Sequence, residues 1–103
     1  MTTDADTAAA NRAIEAVWRL ESARIIAGLA GMVRDVGLAE ELAQDALVAA
    51  LEQWPAEGIP ANPGAWLMLT AKHRAIDRIR RNERLGGKLR LVARHRRVSL
   101  VKH

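Results

Sequence analysis

A chain of 103 residues with 16 Lys and Arg against 12 Asp and Glu carries a formal net charge of +4 and has no Cys, Phe or Tyr. That length suits one domain with a modest core and is too short for two. The lack of Cys excludes a disulfide framework and a thiolate metal site, and makes a reducing cytoplasm the expected compartment. Half the residues are apolar, mostly Ala, Leu, Ile and Val, a mixture that favours helices over strands. The opening MTTDADTAAANR has no basic stretch ahead of an apolar run and is not read as a signal peptide. No apolar run approaches the roughly 20 residues of a membrane span, so no membrane partner is expected.

Charge divides the chain sharply. Residues 1–60 hold four Arg against ten Asp and Glu, a net of −6, whereas residues 61–103 hold twelve Lys and Arg against two acids, a net of +10. Such asymmetry points to two partners: a basic protein surface for the first half and a nucleic acid for the second.

Residues 1–7 are small and polar and are expected to be disordered, with Asp6 or Thr7 capping the helix that follows. Ile14, Val17, Trp18, Ile25, Leu29, Met32, Val33 and Val36 then recur at helical spacing through about Val36. Glu21-Ser22 could mark a kink or break, and Gly37 is the expected stop. A second helix is expected from about Ala39 to Trp54. Its apolar stripe is Leu42, Ala46 and Ala49, with Leu47, Leu51 and Trp54 beside it. Glu41, Gln44, Asp45, Val48 and Glu52 share the opposite face, and Pro55 ends the helix.

A loop is expected over residues 55–62. Asn62-Pro63 reads as an Asx cap followed by proline at the first helical position, where its missing N–H is harmless. The third helix should run from Pro63 to about Arg84 and end at Gly86-Gly87, with Leu69, Ile76, Ile79 and Trp66 on its buried side. Arg74, Arg78 and Arg81 form one basic stripe flanked by Lys72 and Arg80. Beyond it, KLRLVARHRR reads as a short basic helix or a tail. The domain thus spans residues 8–85, and residues 86–103 are a basic tail or the start of a linker. The expected fold is an all-α bundle of three helices, or four if the first breaks near Ser22.

The acidic face contains no Lys or Arg between Leu38 and Trp54 to pair its carboxylates at i, i+4. Gln44 and Val48 interrupt the acids, giving a mixed face suited to a protein partner rich in Arg. Lys88, Arg90, Arg94, Arg96 and Arg97 extend the basic stripe, and phosphate neutralisation by such a stripe is independent of base sequence and sensitive to salt. Trp66 reads first as core, with a stacking surface for a base as its functional alternative; Trp18 and Trp54 read as structural. His73, His95 and His103 lack metal-ligand spacing, although Asp77 lies at i+4 from His73 as a polar partner. No nucleophile elbow, phosphate loop or zinc pattern is present, so neither enzyme nor cofactor is expected.

These residues resemble a known family. AEELAQDALVAALEQW is similar to the core-binding helix of bacterial RNA polymerase sigma factors, commonly written as an acid-rich D-x-x-x-L-x-Q-[ED] pattern followed by an apolar run. PGAWLMLTAKHRAIDRIRR resembles the next helix of the extracytoplasmic-function group, written W-L-x-x-x-A-[RK]-N-x-x-[IL]-D-x-[LI]-R-[RK]. AVWRLESARIIAGLAGMVRDVGLAEE looks most like the subgroup with a long C-terminal extension. The resemblance covers about Ile14 to Arg94.

It implies that Glu41, Gln44, Asp45, Val48 and Glu52 contact the clamp of core RNA polymerase. It implies further that the loop Glu57–Asn62, including Gly58 and Ile59, captures a flipped base of the promoter element nearest the start site. Trp66, Lys72, His73, Arg74, Arg78, Arg80 and Arg81 would face the non-template strand and adjacent duplex. His73 stands where the family usually has Asn. Family members continue into a helix-turn-helix domain, whereas this chain stops at His103. The expectation is therefore an excised domain, a truncated product or a lone module. An anti-sigma factor and a second copy of the chain are further candidate partners. A polymerase-independent DNA-binding regulator and a decoy occupying the polymerase clamp remain the alternative readings.

Overall fold

The computed structural model describes the backbone of residues 3–101 and the side chains of residues 3–85. Three helices follow in order: α1 (Asp4–Val33), α2 (Val36–Glu57) and α3 (Pro63–Val101). Every pair of them is in contact, so the described residues form an all-α compact bundle. This agrees with the three-helix expectation, but the boundaries and one buried face differ.

The first helix starts earlier than the sequence suggested. Thr3 is its cap: Thr3 Oγ1 accepts from the Asp6 amide at 3.0 Å, and Asp6 Oδ2 accepts from the Thr3 amide at 3.3 Å. This reciprocal capping box satisfies two donors that the helix leaves unpaired. Residues 4–7, expected to be disordered, are therefore helical, and Asp6 serves inside the first turn instead of as the cap. No break occurs at Glu21-Ser22, where neither side chain removes a backbone donor.

The stop falls at Arg34, not Gly37. Arg34 adopts a left-handed conformation (φ 60°, ψ 36°) and its amide donates to the Ala30 carbonyl at 2.7 Å. Asp35 then opens α2 by accepting from the Leu38 amide through Oδ1 at 3.0 Å. The Asp35 cap fixes the start of α2 so early that Gly37 lies within its first turn and Ala39 inside it.

Pro55 lies inside α2 instead of ending it. It forgoes one backbone hydrogen bond, but the helix continues to Glu57 and closes where the Gly58 amide donates to the Trp54 carbonyl at 2.8 Å. Gly58 takes φ 98°, a conformation that side chains rarely adopt. Asn62 caps α3 as expected, its Oδ1 accepting from the Ala65 amide at 3.1 Å. Gly86-Gly87 does not terminate α3, which runs to Val101. A glycine weakens a helix by about 1 kcal/mol but stops it only by turning left-handed, and good helix formers flank this pair.

Among the described residues, eight of the fourteen buried apolar ones are Ala: Ala10, Ala39, Ala43, Ala46, Ala49, Ala50, Ala71 and Ala75. Such small side chains let helix backbones approach closely, while Ile25, Leu29, Leu42 and Leu67 are the largest fully buried side chains. On α2 the expected stripe is buried, although Leu51 is 44% exposed. On α3 the expectation fails. Leu67, Ala71 and Ala75 are the buried row, whereas Leu69 is 56% exposed and Ile79 37% exposed; Trp66 and Ile76 are half-buried. The i, i+4 row of Leu67, Ala71 and Ala75 fits closely against neighbouring helices, and its two alanines give little hydrophobic signal in the sequence.

Candidate protein and nucleic-acid interface

The buried side of α2 turns its opposite side outward by helical geometry. Glu41, Gln44, Val48 and Glu52 are exposed there and Asp45 is half-buried, so the five expected interface residues share one accessible face. Val48 is 49% exposed, which places an apolar contact among the carboxylates.

On α3, Lys72, His73, Arg74, Arg80 and Arg81 are exposed and Arg78 is half-buried. Arg78 is engaged within the protein: its Nη2 donates to Glu41 Oε1 at 3.3 Å. The acidic and basic faces are therefore adjoining surfaces linked by an ion pair. The expectation that a partner rich in Arg would neutralise the α2 carboxylates did not include this bond, because pairing across 37 residues has no local spacing signature. His73 and Asp77 form no hydrogen bond, although both are described. The side chains of Lys88, Arg90, Arg94, His95, Arg96 and Arg97 lie outside the described residues, as does His103 altogether.

Trp66 stacks edge-to-face on Trp54, with ring centroids 5.3 Å apart and planes at 73°. This is a favourable aromatic geometry, and it anchors the half-buried Trp66 ring at the margin of the core. Trp54 is buried and its Nε1 has no hydrogen-bond partner. The connection between α2 and α3 is shorter than expected: Glu57 belongs to α2, leaving Gly58 to Asn62 as the loop. Ile59 is 43% exposed within it. Asn62 spends its side-chain oxygen on the helix cap.

Beside this loop lies an open groove of about 450 Å³ between α1 and the start of α3. Glu21, Arg24 and Ile25 line one wall; Asn62, Gly64, Ala65, Met68, Leu69 and Lys72 line the other. Gly64 allows the walls to meet, since a Cβ there would stand 3.3 Å from Glu21 Cγ. The Glu21 side chain thus covers the first turn of α3, where the helix dipole favours a carboxylate, and Oε2 of Glu21 is 3.5 Å from Arg24 Nη1. Sequence reasoning did not single out Glu21 and Arg24 as groove residues because nothing in their local pattern connects α1 with α3. Leu69 was assigned to the core and instead lines this groove.

Among the described residues, no group of three His, Asp or Glu is placed to hold a metal ion. Nor is any described helix long and apolar enough to cross a membrane.

An uncharacterized protein of Rhizobium meliloti is 43% identical over 51 residues, which is 50% of this chain and 12% of that relative. The chain therefore matches only a small part of the relative's length. No solved structure matches the chain. Residues 17–85, which include α2 and the exposed basic residues of α3 up to Arg84, match the family of sigma-70 region 2. The chain belongs to the sigma-70 region 2 family.

Proposed function

We propose that this domain docks on core RNA polymerase and engages melted promoter DNA as region two of an extracytoplasmic-function sigma factor. One observation carries the reading: within a region-two sequence, an exposed acidic face on α2 adjoins an exposed basic face on α3. Glu41, Gln44, Asp45, Val48 and Glu52 meet the polymerase clamp. Lys72, His73, Arg74, Arg78, Arg80 and Arg81 follow the non-template strand, where contacts to phosphate position the chain without reading its sequence. Gly58, Ile59 and Asn62 present the base-capturing loop, beside the open groove of about 450 Å³. Trp66 supports that loop from the core margin more than it stacks on a base, given its packing on Trp54.

The role is one of binding, not catalysis. Energy from polymerase docking and strand contacts offsets the unstacking of bases, which costs about a few kcal/mol. The test is retention of core RNA polymerase by the tagged chain, with Asp45→Arg/Glu52→Arg as the variant. The double variant should remain helical by circular dichroism and lose the polymerase; normal retention rules out the acidic-face assignment. In parallel, single-stranded promoter DNA should bind more tightly than its duplex. Preference for duplex with no polymerase retention would favour a polymerase-independent regulator, and retention without open-complex formation would favour a decoy.

A further inference from the structure

We propose that the Glu41–Arg78 ion pair is a partner-exchange contact that couples protein docking on α2 to nucleic-acid binding on α3. This inference rests on the functional reading above and adds a regulatory link between its two faces. Of the three ion pairs among the described residues, Arg19–Glu15 and Arg24–Glu21 are local to α1, and only Arg78–Glu41 joins two helices. Each member belongs to a different candidate interface. The bond therefore withdraws one carboxylate from the acidic face and one guanidinium from the basic face at the same time.

The geometry makes exchange feasible. The Glu41 side chain is 60% exposed and that of Arg78 is 31% exposed, so an incoming cation reaches Glu41 from the solvent side. The link is a single contact from Nη2 at 3.3 Å instead of a two-bond fork, and it lies at the long end of hydrogen-bond distances. A guanidinium or ammonium group from the docking protein takes Glu41 and frees the Arg78 fork. Arg78 then joins Arg74 and Arg81, four and three residues away on the same helix face, as a further phosphate ligand. Linkage makes the effect reciprocal: DNA that captures Arg78 frees Glu41 for the protein partner by the same factor. An exposed pair of this kind supports coupling of about two- to fivefold.

The test is a double-mutant cycle on the full chain, read by fluorescence anisotropy with a labelled single-stranded oligothymidylate across a salt series. Glu41→Gln should tighten binding by about two- to fivefold and steepen the salt slope by about 0.7, the increment for one more phosphate contact on a single strand. Arg78→Gln in that background should remove the gain. Glu40→Gln, which deletes a neighbouring exposed charge outside the pair, should give a smaller effect that persists when Arg78 is replaced. With core RNA polymerase and no DNA, Arg78→Gln should strengthen docking by the same factor as Glu41→Gln strengthens oligonucleotide binding. An additive cycle, or an Arg78→Gln chain that docks no better than the wild type, overturns the exchange while leaving the two interfaces intact. A wild-type chain that holds neither oligonucleotide nor polymerase overturns the functional reading, and the exchange with it.

Discussion

Arg78 of α3 and Glu41 of α2 meet with Nη2 and Oε1 at 3.3 Å, so the helix expected to touch protein and the helix expected to touch DNA share a polar bond. Its contribution to folding is small. Both side chains retain solvent access, and exposed pairs contribute about 0.2–1 kcal/mol after screening and side-chain ordering. Glu41→Gln should thus lower unfolding free energy by no more than about 1 kcal/mol, measured by urea denaturation at low salt, and by less at high salt. A larger loss would mean that the pair is a main support of α2 against α3.

Leu67 and Leu69 separate the observed packing of α3 from its apparent sequence periodicity. Leu67 is fully buried and Leu69 is 56% exposed. Leu67→Ala should cost about 2–5 kcal/mol, the range for emptying a packed core site. Leu69→Ala should change stability by about 0.5 kcal/mol or less. Chemical denaturation of the two variants checks this, and a reversed order would place the other face of α3 inward.

Arg34 occupies a left-handed backbone position with φ 60°, where its Cβ is crowded. Arg34→Gly should stabilise the protein by up to about 1 kcal/mol, since glycine tolerates this conformation at a helix end. Arg34→Val should destabilise it, because a β-branched residue fits there worst. Thermal unfolding of both variants reads the sign directly.

Gly31 and Gly28 both weaken the α1 interior, yet their surroundings differ. A Cβ at Gly31 meets nothing within 4 Å, whereas one at Gly28 would stand 3.1 Å from Met68 Cε. Gly31→Ala should gain about 0.5–1 kcal/mol from helix propensity. Gly28→Ala should gain less, because the Met68 terminus must shift to admit the methyl group. Equal gains in thermal unfolding would indicate that α1 and α3 approach less closely at Gly28 than the 3.1 Å distance to Met68 Cε implies.

The Asn62-Pro63 start of α3 was legible because capping is local: an Asx oxygen reaches an amide three residues on, as Asn62 does with Ala65. The exposed set on α2 was legible for a related reason, since helical periodicity turns the face opposite the apolar stripe outward. Competing local signals were harder to rank. Gly37 and Pro55 looked like stops, but the Asp35 cap and the Gly58 closure lay close by and set the ends instead. The buried face of α3 was misread because leucine and isoleucine advertise burial more strongly than Ala71 and Ala75, whose value lies in allowing helices to approach.

The family, the helical class and the charge carried by each half are properties of the chain as written, because residue type and short-range spacing contain them. The arrangement of those charges in space is not. Glu41 lies 37 positions from Arg78, and Glu21 meets Gly64 across two intervening connections. Only the packing of α1, α2 and α3 brings these pairs together, since side-chain distances between helices depend on rotation and approach that no local pattern encodes. Folding thereby turned two charge totals into adjoining faces and joined them through one ion pair.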